Sequence, residues 1–203
     1  MNIPLHDFKQ QMISINHDLE KAYVDDEREI IYDGCLNYEQ YYNSDLRIAW
    51  LMKEPYDADG GGWDFAGAFF DNNTYYERLV TSRSRATWQP VAHISYCIQN
   101  DYDKYKRKKL TPDDTVHLKK LAWINLQKLP SKNGARTAFQ DIHAAYNLHK
   151  PLLWKQIEAL HPHIIVCANT FEIIYRDIGE HKKQYLDDSL GYCSVNGRLY
   201  IDA

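Results

Sequence analysis

Four short runs of the chain are apolar almost without interruption: Leu46–Met52, Leu121–Leu126 ("LAWINL"), His163–Ala168 ("HIIVCA") and Arg198–Ala203 ("RLYIDA"). Runs this short and this continuous predict strands buried on both faces of a parallel sheet, because a half-exposed strand would alternate apolar with polar. Between them the apolar residues fall three or four apart. Asn2–Ala22 carries Leu5, Phe8, Met12, Ile15 and Leu19 in that rhythm and predicts a helix. Thr74–Arg83, Ala86–Gln99, Thr137–Tyr146, Leu148–Leu160 and Thr170–Ile178 predict five more. Strands alternating with helices predict an α/β fold, a three-layer α/β/α arrangement around a central, mostly parallel four-stranded sheet. Residues 1–203 read as a single domain, with no repeat and no linker.

At 203 residues, with 44% apolar and 26% charged side chains, the chain can bury a full core. Aromatic residues make up 13%, sixteen of them tyrosines, which suits either a wet binding groove or amphipathic packing. The net charge of −4 argues against an extended grip on duplex nucleic acid. Positive charge is local: Asp101–Lys109 holds five Lys or Arg with two Tyr, readable as a solvated helix end or as a contact surface. Met1–Phe8 has no apolar signal core, and no apolar run nears the ~20 residues of a membrane span, so a soluble, cytoplasmic protein is expected. Cys35, Cys97, Cys167 and Cys193 are too scattered for a zinc site or a disulfide framework, and no metal is expected. The chain stops inside the last strand, at Ile201-Asp202-Ala203, and is expected to be clipped there, unless an edge strand simply ends the protein.

Ligands of open α/β sheets sit beyond the carboxyl ends of the strands. The first strand delivers Glu54-Pro55-Tyr56 and then Asp57–Phe70. The second delivers Asn125 and the loop of residues 127–136, and the third delivers Asn169 and Thr170. Amide, carboxylate, aromatic and a Ser/Lys/Gly loop can read a planar polar ligand, stack it and hold a phosphate. Gly60-Gly61-Gly62 reads as a flexible loop, since no helix follows where a phosphate fingerprint needs one. His161-Pro162-His163 has metal-like spacing but reads better as a turn between a helix and a buried strand.

These strand-end residues resemble the uracil-DNA glycosylase superfamily. "MKEPY", Met52–Tyr56, is similar to that family's motif after its first core strand. Glu54 then matches the catalytic, water-positioning group, and Pro55-Tyr56 match as they stand, with Tyr56 beside the base. "GGWDFAG", Gly61–Gly67, resembles the loop of the thermophile-type branch whose ring, here Phe65, stacks on the flipped base. "AWINLQKLP" resembles the same branch's Asn-x-x-Lys text: Asn125 would read the base edge, and Lys128 would be the basic residue after it. Lys128, Ser131 and Lys132 are then the residues expected along the nucleic-acid backbone. Leu153–Asn169 is similar to the family's helix and third strand.

The chain also departs from that pattern. Met52 stands at the motif's glycine, and Glu54 is one methylene longer than the usual Asp. No Cys follows Lys128, so the branch's iron–sulfur cluster is not expected, nor is any other cofactor. The family's His-Pro-Ser motif follows the fourth strand, where this chain stops, and a form lacking it is expected to fold but to excise little. The resemblance implies a divergent base-excising N-glycosylase-like hydrolase acting on uracil or another modified base in nucleic acid, or on a nucleoside. The alternative is a non-catalytic module on the same fold that binds a nucleotide or a protein.

Overall fold

The structure is a computed structural model that describes residues 3–25, 27–70, 85–100, 112–131, 137–179, 184–185 and 191–203. Its strands are β1 (Gly34–Cys35), β2 (Ile48–Met52), β3 (Leu121–Asn125), β4 (Ile164–Cys167), β5 (Gln184–Tyr185), β6 (Gly191–Val195) and β7 (Arg198–Asp202). Its α-helices are α1 (Leu5–Ala22), α2 (Tyr38–Tyr42), α3 (Arg85–Gln99), α4 (Phe139–Leu160) and α5 (Phe171–Ile174). A π-helical turn at Ala66–Phe70 and a 3₁₀ stretch at Pro112–Lys120 complete the elements.

All seven strands form one sheet in the order β1-β3-β2-β4-β7-β6-β5. The four runs read from the sequence are its contiguous centre: β3, β2, β4 and β7 are mutually parallel. The expected count of four strands is corrected to seven. β1 on β3, β6 on β7 and β5 on β6 are antiparallel additions, which makes the sheet mixed. Two of them are two residues long and leave no periodicity to read. The third, β6, turns into β7 through Asn196-Gly197, both at positive φ (52° and 75°), the two-residue turn whose twist suits a hairpin.

Alternate residues of the central strands supply two cores. Ala49, Leu51, Ala122, Ile124, Ile165 and Cys167 face Phe8, Met12, Ile15 and Leu19 of α1 and the buried stripe of α4. Ile48, Trp50, Leu121, Trp123 and Val166 instead join Phe65, Phe70, Leu118 and the Trp88 and Val91 side chains of α3. Apolar burial on both faces is why these strands read as continuous rather than alternating.

Two helical regions differ from expectation. The two helices expected within residues 137–160 are one, α4, which runs through Pro151. The helix at 170–178 shortens to α5. The one at 74–83 lies outside the described residues.

From β2 the chain moves to β3 on one side, and later to β4 on the other. That reversal lies at the carboxyl end of β2, the usual ligand position in an open α/β sheet. Backbone bonds fix the chain there. Leu126 and Gln127 N–H donate to the Met52 and Lys53 carbonyls (both 2.9 Å), and Ala168 N–H and Thr170 Oγ1 donate to Leu51 O (3.0 and 2.9 Å).

Candidate functional site at the carboxyl ends of the central strands

Glu54 leaves β2 half-buried, with Oε1 accepting a hydrogen bond from Thr137 N–H at 3.2 Å. Its other oxygen has no partner among the described residues, so one face of the carboxylate is held and the other is available. Pro55 is buried, while Tyr56 turns outward with 73% of its surface exposed.

The chain after Tyr56 is a fixed strap, which corrects the reading of Gly60-Gly61-Gly62 as flexible. Asp57 organises it, accepting from Asp59 N–H (3.0 Å), Gly61 N–H (3.0 Å) and Trp63 Nε1 (2.9 Å). Burial by itself would raise the Asp57 pKa, but these donors outweigh it and hold the carboxyl below its usual range. The strap is hydrogen-bonded along residues 29–32: Glu29 N–H to Gly60 O, Gly62 N–H to Ile30 O, Tyr32 N–H to Trp63 O and Phe65 N–H to Tyr32 O. Gly61 has φ +97°, and a Cβ there would overlap the Glu29 carbonyl. Its glycine is required for close approach, not for mobility.

Phe65 is only 8% exposed. Its ring lies 5.0 Å from Trp63, 5.6 Å from Trp123 and 6.3 Å from Trp88, and Trp88 stacks on Trp123 at 4.3 Å. It is a layer in an aromatic core rather than an open platform.

Asn125 is fully buried, and both ends of its amide are engaged. Trp123 Nε1 donates to its Oδ1 (3.1 Å), and its own Nδ2 and backbone N–H donate to Asp33 Oδ2 (3.1 and 2.7 Å). Lys128, equally buried, places Nζ 2.5 Å from Asp33 Oδ1 and 2.9 Å from Gln156 Oε1. Gln156 Nε2 returns to Asp33 Oδ1 (2.9 Å). Burial lowers the Lys128 pKa, and the adjacent Asp33 carboxylate opposes that shift. A buried charge needs this kind of enclosure, and each group here answers another.

The structure therefore brings Asn125 and Lys128 together, but around Asp33 and Gln156 rather than around an open pocket. Glu54 and Tyr56 stand outside that knot, and Phe65 reaches it through Trp123. Ser131 is 6% exposed, and its hydroxyl has no partner. Lys132 and the Asp101–Lys109 run lie outside the described residues.

Sequence reading missed Asp33 and Gln156, although each left a trace. Asp33 is a lone acid within "IIYDGCL", and Gln156 sits on the apolar stripe of α4 between Leu153 and Leu160. A polar residue on a buried stripe has to find a partner. His161 is the left-handed cap of α4 (φ 52°), and His163 lies against Arg47, so His161-Pro162-His163 is a turn. All four cysteines are free, and among the described residues no three His, Cys, Asp or Glu side chains converge as a metal site. No helix among them is long and apolar enough to cross a membrane.

Comparison with protein-family models, with curated proteins and with solved structures gives no match to the chain.

Proposed function

We propose that the protein is a divergent base-excising N-glycosylase-like hydrolase acting on nucleic acid, on a three-layer uracil-DNA glycosylase-like fold. The observation that carries this reading is Glu54: a carboxylate at the carboxyl end of a central strand, beside the strand-order reversal, with one oxygen tethered and the other without a partner among the described residues. Supporting it, the four strands expected of that fold are the contiguous parallel centre of the sheet, with helices against both faces.

Breaking an N-glycosidic bond develops cationic character on the sugar, and the base leaves with the bonding electrons. A fixed carboxylate stabilises that cation and orients a water toward it. Tyr56 is the member of the expected set whose ring a base can reach, since Phe65 is buried. Asn125 and Lys128 serve as the frame that fixes the end of β3, because their polar atoms are already engaged.

That same engagement favours a second reading, a module that binds a nucleotide or a protein without chemistry. Release of free base from oligonucleotides containing uracil or other modified bases, measured with protein in excess, separates the two. Release that depends on Glu54 supports the hydrolase. Nucleotide binding without release, on every base tried, supports the module.

A further inference from the structure

A cleft of about 270 Å³ opens between the strap after β2 and the chain after β3, lined by Glu27, Arg28, Asp57, Asp59, Pro130 and Ser131 among others. It lies on the carboxyl-end side of the sheet, yet of the residues matched to the glycosylase motifs only Pro130 and Ser131 line it, and none of Glu54, Tyr56, Phe65, Asn125 and Lys128 does. Two of its lining residues carry buried polar atoms without a partner among the described residues: Ser131 Oγ and Arg28 Nε. The rest of the Arg28 guanidinium is committed, one nitrogen donating to Pro130 O (2.6 Å) and another to Asp25 Oδ2 (2.8 Å). A native fold rarely leaves two buried polar atoms of one cleft unpaired unless something else completes them.

Arg28 Nε–H can only donate, and the Ser131 hydroxyl can donate beside it, so one acceptor oxygen would answer both. Charge decides which kind. Glu27, Asp57 and Asp59 line the cleft as acids against the single guanidinium of Arg28, which Asp25 already pairs, and Asp57 is held in its ionised form. A phosphate would enter against that field, whereas a neutral carbonyl would not. We infer that this cleft recognises the carbonyl oxygen of a neutral ligand, a nucleobase keto group, through Ser131 and Arg28, and that Ser131 is not a phosphate contact. Choosing a base as the ligand rests on the proposed function; choosing a neutral carbonyl over an anion does not.

Calorimetric titration of the full chain with uracil, uridine and inorganic phosphate, for wild type and for Ser131→Ala and Arg28→Lys, tests this. Wild type should bind uracil or uridine and bind phosphate more weakly. Ser131→Ala should weaken uracil binding about tenfold, the usual worth of one hydrogen bond. Its melting temperature should be unchanged or higher, because an orphaned buried hydroxyl is removed. Arg28→Lys keeps the charge but loses the Nε donor, and should weaken binding similarly. No uracil binding, phosphate binding tighter than uracil, or a Ser131→Ala protein that melts lower while binding as well as wild type would each overturn the inference. Because the readout is binding, it is separate from excision. Ser131-dependent uracil binding without base release sinks only the hydrolase, and Glu54-dependent release with unaltered binding in Ser131→Ala sinks only the cleft.

Discussion

Gly61 illustrates how one residue can be misjudged from type alone. Three consecutive glycines suggest mobility, but Gly61 has φ +97° and no room for a Cβ beside the Glu29 carbonyl. Gly61→Ala should therefore destabilise the protein by about 2–4 kcal/mol, from a strained backbone plus overlap, measurable as a lower urea midpoint. An unchanged midpoint would mean that the strap is not held as described. His163 makes a second residue-scale case. Its Nδ1 accepts from Arg47 N–H at 3.1 Å, and Nε2 lies 3.0 Å from the Arg47 guanidinium. Burial first, then the Arg47 and His161 charges, lower its pKa from the ordinary value near 6.5. With the folded pKa depressed, the unfolded chain takes up the proton first as pH falls. The stability that neutral His163 contributes is present above pH ~6.5 and is lost as pH drops toward the folded pKa. Burial of His149, which stacks on Tyr23 at 3.6 Å, adds in the same sense. The denaturation midpoint should thus rise from pH 5 to pH 7, with the His163 ring titrating below 6.5 by NMR. A flat midpoint would contradict the assignment.

Elements were most legible where burial dictated composition. β2, β3 and β4 needed both faces apolar, and their sequences said so, while β7 fully buries only Tyr200. β1 and β5 are too short to carry a pattern, and β6 mixes exposed and buried positions because it lies outside the parallel centre. α4 runs unbroken through Asn147, where the two expected helices part, because its packing is continuous there. Ile142, Ala145, Tyr146, Leu153, Ile157 and Leu160 form one buried stripe across it. Pro151 itself is exposed, so it loses a helix hydrogen bond without gaining packing. Pro151→Ala should restore the bond to the Asn147 carbonyl and stabilise the protein by about 1–3 kcal/mol, read as a higher melting temperature. A lower one would show that the helix depends on its proline. The site was half legible for the same kind of reason. Glu54 and Tyr56 follow a strand whose end can be read locally, so their position was foreseeable. Asn125 was not, because its partner Asp33 lies 92 residues away in sequence and only the folded sheet brings them together.

At the scale of the whole molecule, a parallel centre is flanked by antiparallel strands, and strand order reverses between β3, β2 and β4. The Asp33–Lys128–Gln156–Asn125 knot locks β3 to α4 and to the chain before β1. At the end of β2, Glu54 has one oxygen tied to Thr137 and one without a partner among the described residues. A half-tethered carboxylate on a braced strand is what preorganised electrostatic catalysis would use. The direct measurement is single-turnover base release from a uracil-containing single-stranded oligonucleotide by wild type and by Glu54→Gln, with melting curves to confirm that both are folded. The account predicts release by wild type and a loss of about 10²–10³-fold in Glu54→Gln, the usual cost of one preorganised group. Release at an equal rate by a folded Glu54→Gln protein would contradict it.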